Sequence, residues 1–207
     1  MKADHFEFLV EEPSVQAFLA ACLPRLFGTE VTFKIHVHQG KPDLLGKLES
    51  RLKAYAKWLP ENARIVVLVD RDMSDCKVLK AKMDKAAAAA GLATRATSGG
   101  PTWRVVNRIA VEELEAWFFG EWNGVRRAYP KVASNTVHKA AFRQCDQITG
   151  GTWEAFERVM RKAGYFVGGL RKVEAADAIG SVFDPLDCSS PSFATFRGAL
   201  LEATSDM

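Results

Sequence analysis

Three aspartates follow an unbroken apolar run: Ile65-Val66-Val67-Leu68-Val69 leads into Asp70, Asp72 and Asp75. Carboxylates held this close repel one another unless a cation, a proton or a helix N-terminus offsets the charge. A second acidic pair, Glu11-Glu12, follows a shorter apolar run at residues 6–10. Magnesium takes hard oxygen ligands, one or two of them carboxylates, and fills its shell with water and substrate phosphate. The chemistry on offer is therefore metal-assisted work on a phosphate ester, with a neighbouring Glu to move protons. Local structural roles compete with that reading. Asp75, and Asp72 with it, can cap the next helix, and Glu12 can sit in a first turn favoured by the helix dipole. Asp75 reads as the cap. Asp70 has no helix start beside it, and with Glu11 it reads as functional.

The elements that must hold these groups are legible from periodicity. Residues 65–69 read as a strand buried on both faces, the pattern of a parallel sheet. Open α/β sheets bind ligands at the carboxyl edge of their strands. If the strands ending at Glu11 and Asp70 are parallel, central and adjacent, their carboxylates gather at one edge. Residues two apart in extended chain point the same way, which suits Asp70-x-Asp72 as a ligand pair. Around these strands the spacing predicts a helix over 15–27, opened by Pro13-Ser14, kinked or ended by Pro24 and stopped at Gly28. A strand at 32–38 follows, then a helix over 44–58, a helix over 76–90, a short strand at 92–97 and a strand at 103–110. The last runs straight into a helix at Glu112. Alternation with long crossovers predicts an α/β class: a mostly parallel sheet flanked by helices, within residues 1–120. Residues 121–207 read as a helical, loop-rich extension packed on it, with helices at 153–163, 173–182 and 193–203.

Composition narrows the class. The chain has 207 residues, 48% of them hydrophobic, enough to build a core and to exclude global disorder. A net charge of +3 permits a nucleic-acid partner without requiring one. Cys22, Cys76, Cys145 and Cys188 have no paired spacing and read as free thiols of a reducing compartment. With no signal-peptide pattern and no apolar run of membrane-spanning length, the expectation is a cytoplasmic protein with no membrane partner. No Gly-rich loop ends in Gly-Lys-Ser/Thr, so any ATPase would be a separate subunit. His36 and His38 lie on one strand face and, with no third ligand nearby in sequence, read as a half-exposed face. Lys41, next to Gly40, can meet a substrate phosphate. Arg126-Arg127, Arg161-Lys162 and Arg171-Lys172 could line a groove for a phosphate backbone, but acidic residues nearly balance them, so solvated helix faces are the default.

The order of the acids narrows the fold further. Haloacid-dehalogenase-like phosphatases carry Asp-x-Asp on their first strand, and response-regulator receivers need a Lys after a late strand; neither pattern is met. Glu on the first strand, then Asp-x-Asp two strands later, is the order of the Toprim fold. Four blocks extend the likeness: Phe8-Leu9-Val10-Glu11-Glu12-Pro13-Ser14, Gln39-Gly40-Lys41-Pro42-Asp43-Leu44, Val69-Asp70-Arg71-Asp72-Met73-Ser74-Asp75-Cys76-Lys77 and Arg108-Ile109-Ala110-Val111-Glu112-Glu113-Leu114-Glu115-Ala116-Trp117. With the late Ser189-Ser190-Pro191-Ser192-Phe193, they resemble the bacterial domain of unknown function 4276 family, which is regarded as Toprim-like. That resemblance implies metal-dependent phosphodiester chemistry, that of a nuclease acting on DNA or RNA. It implies Asp70 and Asp72 as ligands of Mg²⁺ or Mn²⁺, and Glu11 as general acid/base or second-metal ligand. Glu113 and Glu115 match a Glu-x-Glu of the family and could complete a second metal site; compensation of a helix dipole explains at least one of them without any such role. Toprim proteins usually place Gly directly after the Glu. Here Glu12 stands there, which either keeps a nucleic-acid backbone from approaching closely at this turn or adds a fifth carboxylate to the site that meets substrate. Toprim relatives of the overcoming-lysogenization type work with ATPases, so the rival expectation is a non-catalytic module serving a separate ATPase in a bacterial defence or repair assembly. Nothing in the sequence specifies an oligomeric state.

Overall fold

Every residue of the apolar run at 65–69 is buried, and that run becomes the centre of a four-stranded sheet. The computed structural model describes residues 2–100 and 102–205. In chain order the elements are β1 (His5–Val10), α1 (Pro13–Phe27), β2 (Thr32–Val37), α2 (Lys41–Trp58), β3 (Ala63–Asp70), α3 (Cys76–Ala89) and β4 (Val105–Ala110). Then follow α4 (Glu115–Gly120), α5 (Trp122–Ala128), α6 (Thr152–Lys162), α7 (Lys172–Gly180) and α8 (Pro191–Thr204). The strand order is β2-β1-β3-β4, and β1 pairs in parallel with both β2 and β3. Val10 lies level with Val37 on one side and Leu68 on the other. The class is α/β, with a parallel sheet flanked by helices.

Two segments differ from expectation, and a third keeps its expected end. Residues 92–97 do not form a strand: Thr94 makes only an isolated parallel bridge to Val105. Thr97 Oγ1 accepts from Thr94 N at 3.0 Å and Ser98 N donates to Thr94 O at 2.9 Å, so local Thr and Ser bonds close a turn in place of a ladder. Helix α2 begins at Lys41, not at Leu44, because Pro42 suits a first turn and Gly40 takes the left-handed φ of 84° that the entry needs. Pro24 lies inside the last turn of α1, where its missing N–H costs one bond, and the helix closes at Gly28 with φ 64°.

The chain forms two compact units that are discontinuous in sequence. The first comprises Met1–Glu12, Thr29–Ile109 and Thr195–Met207; the second comprises Pro13–Gly28 and Ala110–Ala194. In the first unit one sheet face, carrying Leu9, Ile65, Val67, Val69 and Val105, packs against Leu44, Leu48 and Leu52 of α2 and Leu79, Met83 and Ala87 of α3. Each of the Leu, Ile, Val and Met side chains among these contributes about 1.5–3 kcal/mol when fully removed from water. The opposite face presents Phe8, which meets Phe33 at 6.4 Å and Phe196 of α8 at 6.3 Å. Burial on both faces is what lets β3 read as a continuous apolar run.

The second unit is built on aromatic rings. Phe18 of α1 lies 5.9 Å from Trp117, 5.6 Å from Phe118 and 5.0 Å from Phe183. Helix α1 packs on α7 at Gly180, where an added Cβ would stand 2.8 Å from the Phe18 carbonyl oxygen. Buried Glu121 gathers the backbone N–H groups of Gly124 and Asp184 and one guanidinium N–H of Arg127. Asp146 accepts from Ser190 Oγ and Ser192 N, and Ser190 Oγ in turn accepts from Phe193 N as the N-cap of α8. The late Ser-rich block therefore holds a helix start. No described helix is long and apolar enough to cross a membrane.

Candidate metal and active site

Glu11 directly follows β1, and Asp70 is the last residue of β3, so the parallel pairing of these two neighbours brings both to one carboxyl edge. Glu11 Oε1 accepts from the backbone N–H of Asp70 at 2.8 Å. Both residues are buried, each 6% exposed. The loop after β2 closes over the same edge: His38 N donates to Val10 O at 2.9 Å, and Gly40 N donates to Glu11 O at 2.9 Å. That loop delivers Lys41, whose Nζ donates to Arg71 O at 3.2 Å and to Asp72 Oδ2 at 2.5 Å. Three loops thus place Glu11, Asp70, Asp72 and Lys41 together, with Glu12 next in chain.

Asp72 departs from the expected geometry. The extended chain does not continue past Asp70: Asp72 takes φ 46°, a left-handed conformation that Asp tolerates better than most residues. The two-residue alternation that would align it with Asp70 is therefore broken. Its side chain is half-exposed and ion-paired with Lys41. Asp75 behaves as a cap, with Oδ1 accepting from Lys77 N at 2.8 Å and Val78 N at 3.0 Å. The aspartates divide by role: one buried at the strand end, one paired with a lysine, one holding a helix.

Electrostatics mark Glu11. Burial pushes its carboxyl up to about 7; the Asp70 N–H and the field of Lys41 pull it down, and the charges of Asp72 and Glu12 push it up again. A group poised near neutrality can accept or deliver a proton at working pH. A cation here would relieve both the burial and the repulsion. The donor set consists of carboxylate oxygens, which suits a hard divalent ion. Among the described residues no group of three or more His, Cys, Asp or Glu side chains is already arranged to hold a metal.

Glu113 and Glu115 belong to the second unit. Glu113 Oε2 accepts from Thr152 Oγ1 at 2.8 Å and Trp153 N at 2.9 Å, which satisfies the first turn of α6. Glu115 is 2% exposed in the first turn of α4. His36 Nε2 lies 2.5 Å from Glu7 Oε2, and His38 Nδ1 lies 3.0 Å from Val10 O. Glu7 is the functional-looking acid that periodicity passes over. It sits 3% exposed within β1 and also meets His5 Nε2 at 3.2 Å and the Tyr55 hydroxyl at 3.2 Å. Its only signal in sequence is a charged residue inside an otherwise apolar strand.

No curated protein matches the chain. Among solved structures, the C-terminal region of the Burkholderia pseudomallei OLD protein is similar, with 14% identity over 98% of this chain and 99% of that one, at a TM-score of 0.46. The model of the family described as Domain of unknown function (DUF4276) matches residues 10–201, from the end of β1 into α8. The chain belongs to that family, the one its sequence blocks resemble.

Proposed function

We propose that this protein is a Toprim-like phosphodiesterase dependent on Mg²⁺ or Mn²⁺, acting as a nuclease on DNA or RNA. The observation that carries this reading is the joined pair at the strand ends: Glu11 and Asp70, both buried, bridged by a 2.8 Å hydrogen bond from the Asp70 N–H. Asp70 and Asp72 hold the ion, and Glu11, with its carboxyl near neutrality, takes or gives the proton of the attacking or leaving oxygen. A divalent ion supplies positive charge for the phosphoryl oxygens and makes a nearby water more acidic. Lys41, freed from Asp72, offers its ammonium to the scissile or adjacent phosphate. Glu12, partly exposed beside this edge, keeps the approach acidic, so a polyanion depends on the cation to enter.

A second reading is favoured by the Lys41–Asp72 ion pair, which offsets part of the acidic edge within the protein itself. In that reading the edge is a partner-binding surface, and the chain serves a separate ATPase in a defence or repair assembly. One experiment separates the two. Purified protein is incubated with supercoiled, linear and single-stranded DNA and with RNA, under Mg²⁺ or Mn²⁺, beside an Asp70→Asn, Asp72→Asn double variant. Metal-dependent cleavage by the wild type, with a loss of about a hundredfold or more in the variant, is the expected result. Cleavage that survives the double substitution removes the assignment of these aspartates, and no cleavage of any substrate leaves the partner-binding reading.

A further inference from the structure

The positive charge of the C-terminal region is nearly balanced by acids in total but not in arrangement. Residues 122–145 contain Arg126, Arg127, Lys131, Lys139 and Arg143 and no Asp or Glu. Several basic groups elsewhere in the second unit have local partners. Arg127 pairs with Glu121, Arg171 pairs with Glu174, and Lys172 lies over the Trp153 ring at 5.2 Å. Three lysines differ from these. Lys131, Lys139 and Lys162 line one cavity of about 220 Å³, floored by Val159 and the buried Thr136, with no carboxylate in its wall. Among the described residues none of the three makes an ion pair, and Lys131 Nζ meets only a ring face, 5.8 Å from the Tyr165 centroid.

Three lysines lining one concavity bring like charges near one another, and an anion seated there offsets their repulsion. The cavity lies at the carboxyl end of α6, whose dipole alone would disfavour an anion. That end is closed internally: Ala163 N donates to Val159 O, Gly164 N to Arg161 O and Tyr165 N to Met160 O, with Gly164 at φ 83°. The carbonyls of Val159, Met160 and Arg161 are thus occupied, and the charged residues that line the cavity are all lysines. Lysine meets phosphate as a flexible point charge and reads no base sequence.

We infer that the Lys131–Lys139–Lys162 cavity is a phosphate-binding subsite for a nucleic-acid backbone. The inference rests on the proposed nuclease reading for the identity of the ligand, and its test does not depend on cleavage. Fluorescence anisotropy of labelled single- and double-stranded DNA and RNA is measured without divalent metal, across a series of salt concentrations. The wild type is compared with a Lys131→Gln, Lys139→Gln, Lys162→Gln variant, whose thermal melt checks that it folds. Three phosphate contacts predict a salt slope lower by about 3 in the variant, and binding weaker by roughly a hundredfold at 0.1 M salt. An unchanged slope and affinity in the folded variant overturns the subsite. So does wild type that takes up pyrophosphate in a calorimetric titration but no oligonucleotide, which would make the cavity a site for free phosphates. Wild type that binds none of these probes overturns it too. Lysine-dependent binding without any cleavage supports the subsite and defeats the nuclease reading; cleavage with lysine-independent binding does the reverse.

Discussion

Two buried glutamates on β1 and its end show how burial alone fails to set the behaviour of a side chain. Burial would raise the Glu7 carboxyl, but hydrogen bonds from His36, His5 and Tyr55, with the field of His36, overcome it and hold the group below its ordinary range. Glu11 has one backbone donor and two acidic neighbours, and its carboxyl rises to about 7. The consequence for stability is opposite in the two cases. Glu7 favours the fold while ionised, and its contribution fades as pH falls through the lowered value. For Glu11 the native state binds more protons than the unfolded chain between pH 4.5 and about 7. Its contribution is therefore full below the lower value and is lost as pH rises through the upper one. Glu11→Gln removes the charge and keeps an acceptor for the Asp70 N–H. In chelator at pH 8 the variant is expected to be more stable than wild type by roughly 2–3 kcal/mol, with the gap closing by pH 4.5. Urea denaturation at the two pH values measures this; a variant no more stable at pH 8 would show that Glu11 is not held at such a cost.

At the scale of elements, what the sequence made legible follows from how strongly each segment is buried. Strand β3 is buried along its whole length, so its apolar run and its end at Asp70 can be read directly. The edge strand β2 is largely half-exposed, yet its alternation still marks it. Residues 92–97 mislead because Thr94, Thr97 and Ser98 satisfy backbone groups within a turn, a competition that hydrophobic patterning does not register. The left-handed Asp72 was equally hidden, since nothing in Asp-x-Asp spacing reveals a backbone reversal. Helix α1 is legible as a helix, but its place in the second unit depends on packing against Gly180, more than 150 residues further along. The cap at Asp75 was legible because it needs only local chemistry. It gives the element-scale prediction: Asp75→Ala should cost about 1 kcal/mol of stability, read by denaturation, and leave metal binding unchanged. A loss of metal binding in that variant would place Asp75 among the ligands and break the division of roles among the three aspartates.

For the whole molecule, the near-neutral balance of +3 conceals two opposite local fields. In the first unit Glu11, Glu12, Asp70 and Asp72 gather at a sheet edge; in the second, Lys131, Lys139 and Lys162 surround a cavity. The proposed phosphodiesterase would need both: an acidic edge to take a cation and a basic cavity to take phosphate. The acidic half was readable from strand ends and acid order. The basic half was not, because its lysines lie far apart in sequence and only the fold of the 129–163 region brings them to one cavity. The edge is the more decisive of the two, since the proposed roles of Glu11, Asp70 and Asp72 all run through it. The most direct measurement is a calorimetric titration of Mn²⁺ into wild type, Glu11→Gln and Asp70→Asn at neutral pH, with Asp75→Ala as control. A metal site at Glu11 and Asp70 predicts saturable binding in wild type and the control, weakened by about tenfold or more in the other two. Equal Mn²⁺ affinity in wild type and Asp70→Asn, or no saturable binding by the wild type, would contradict it.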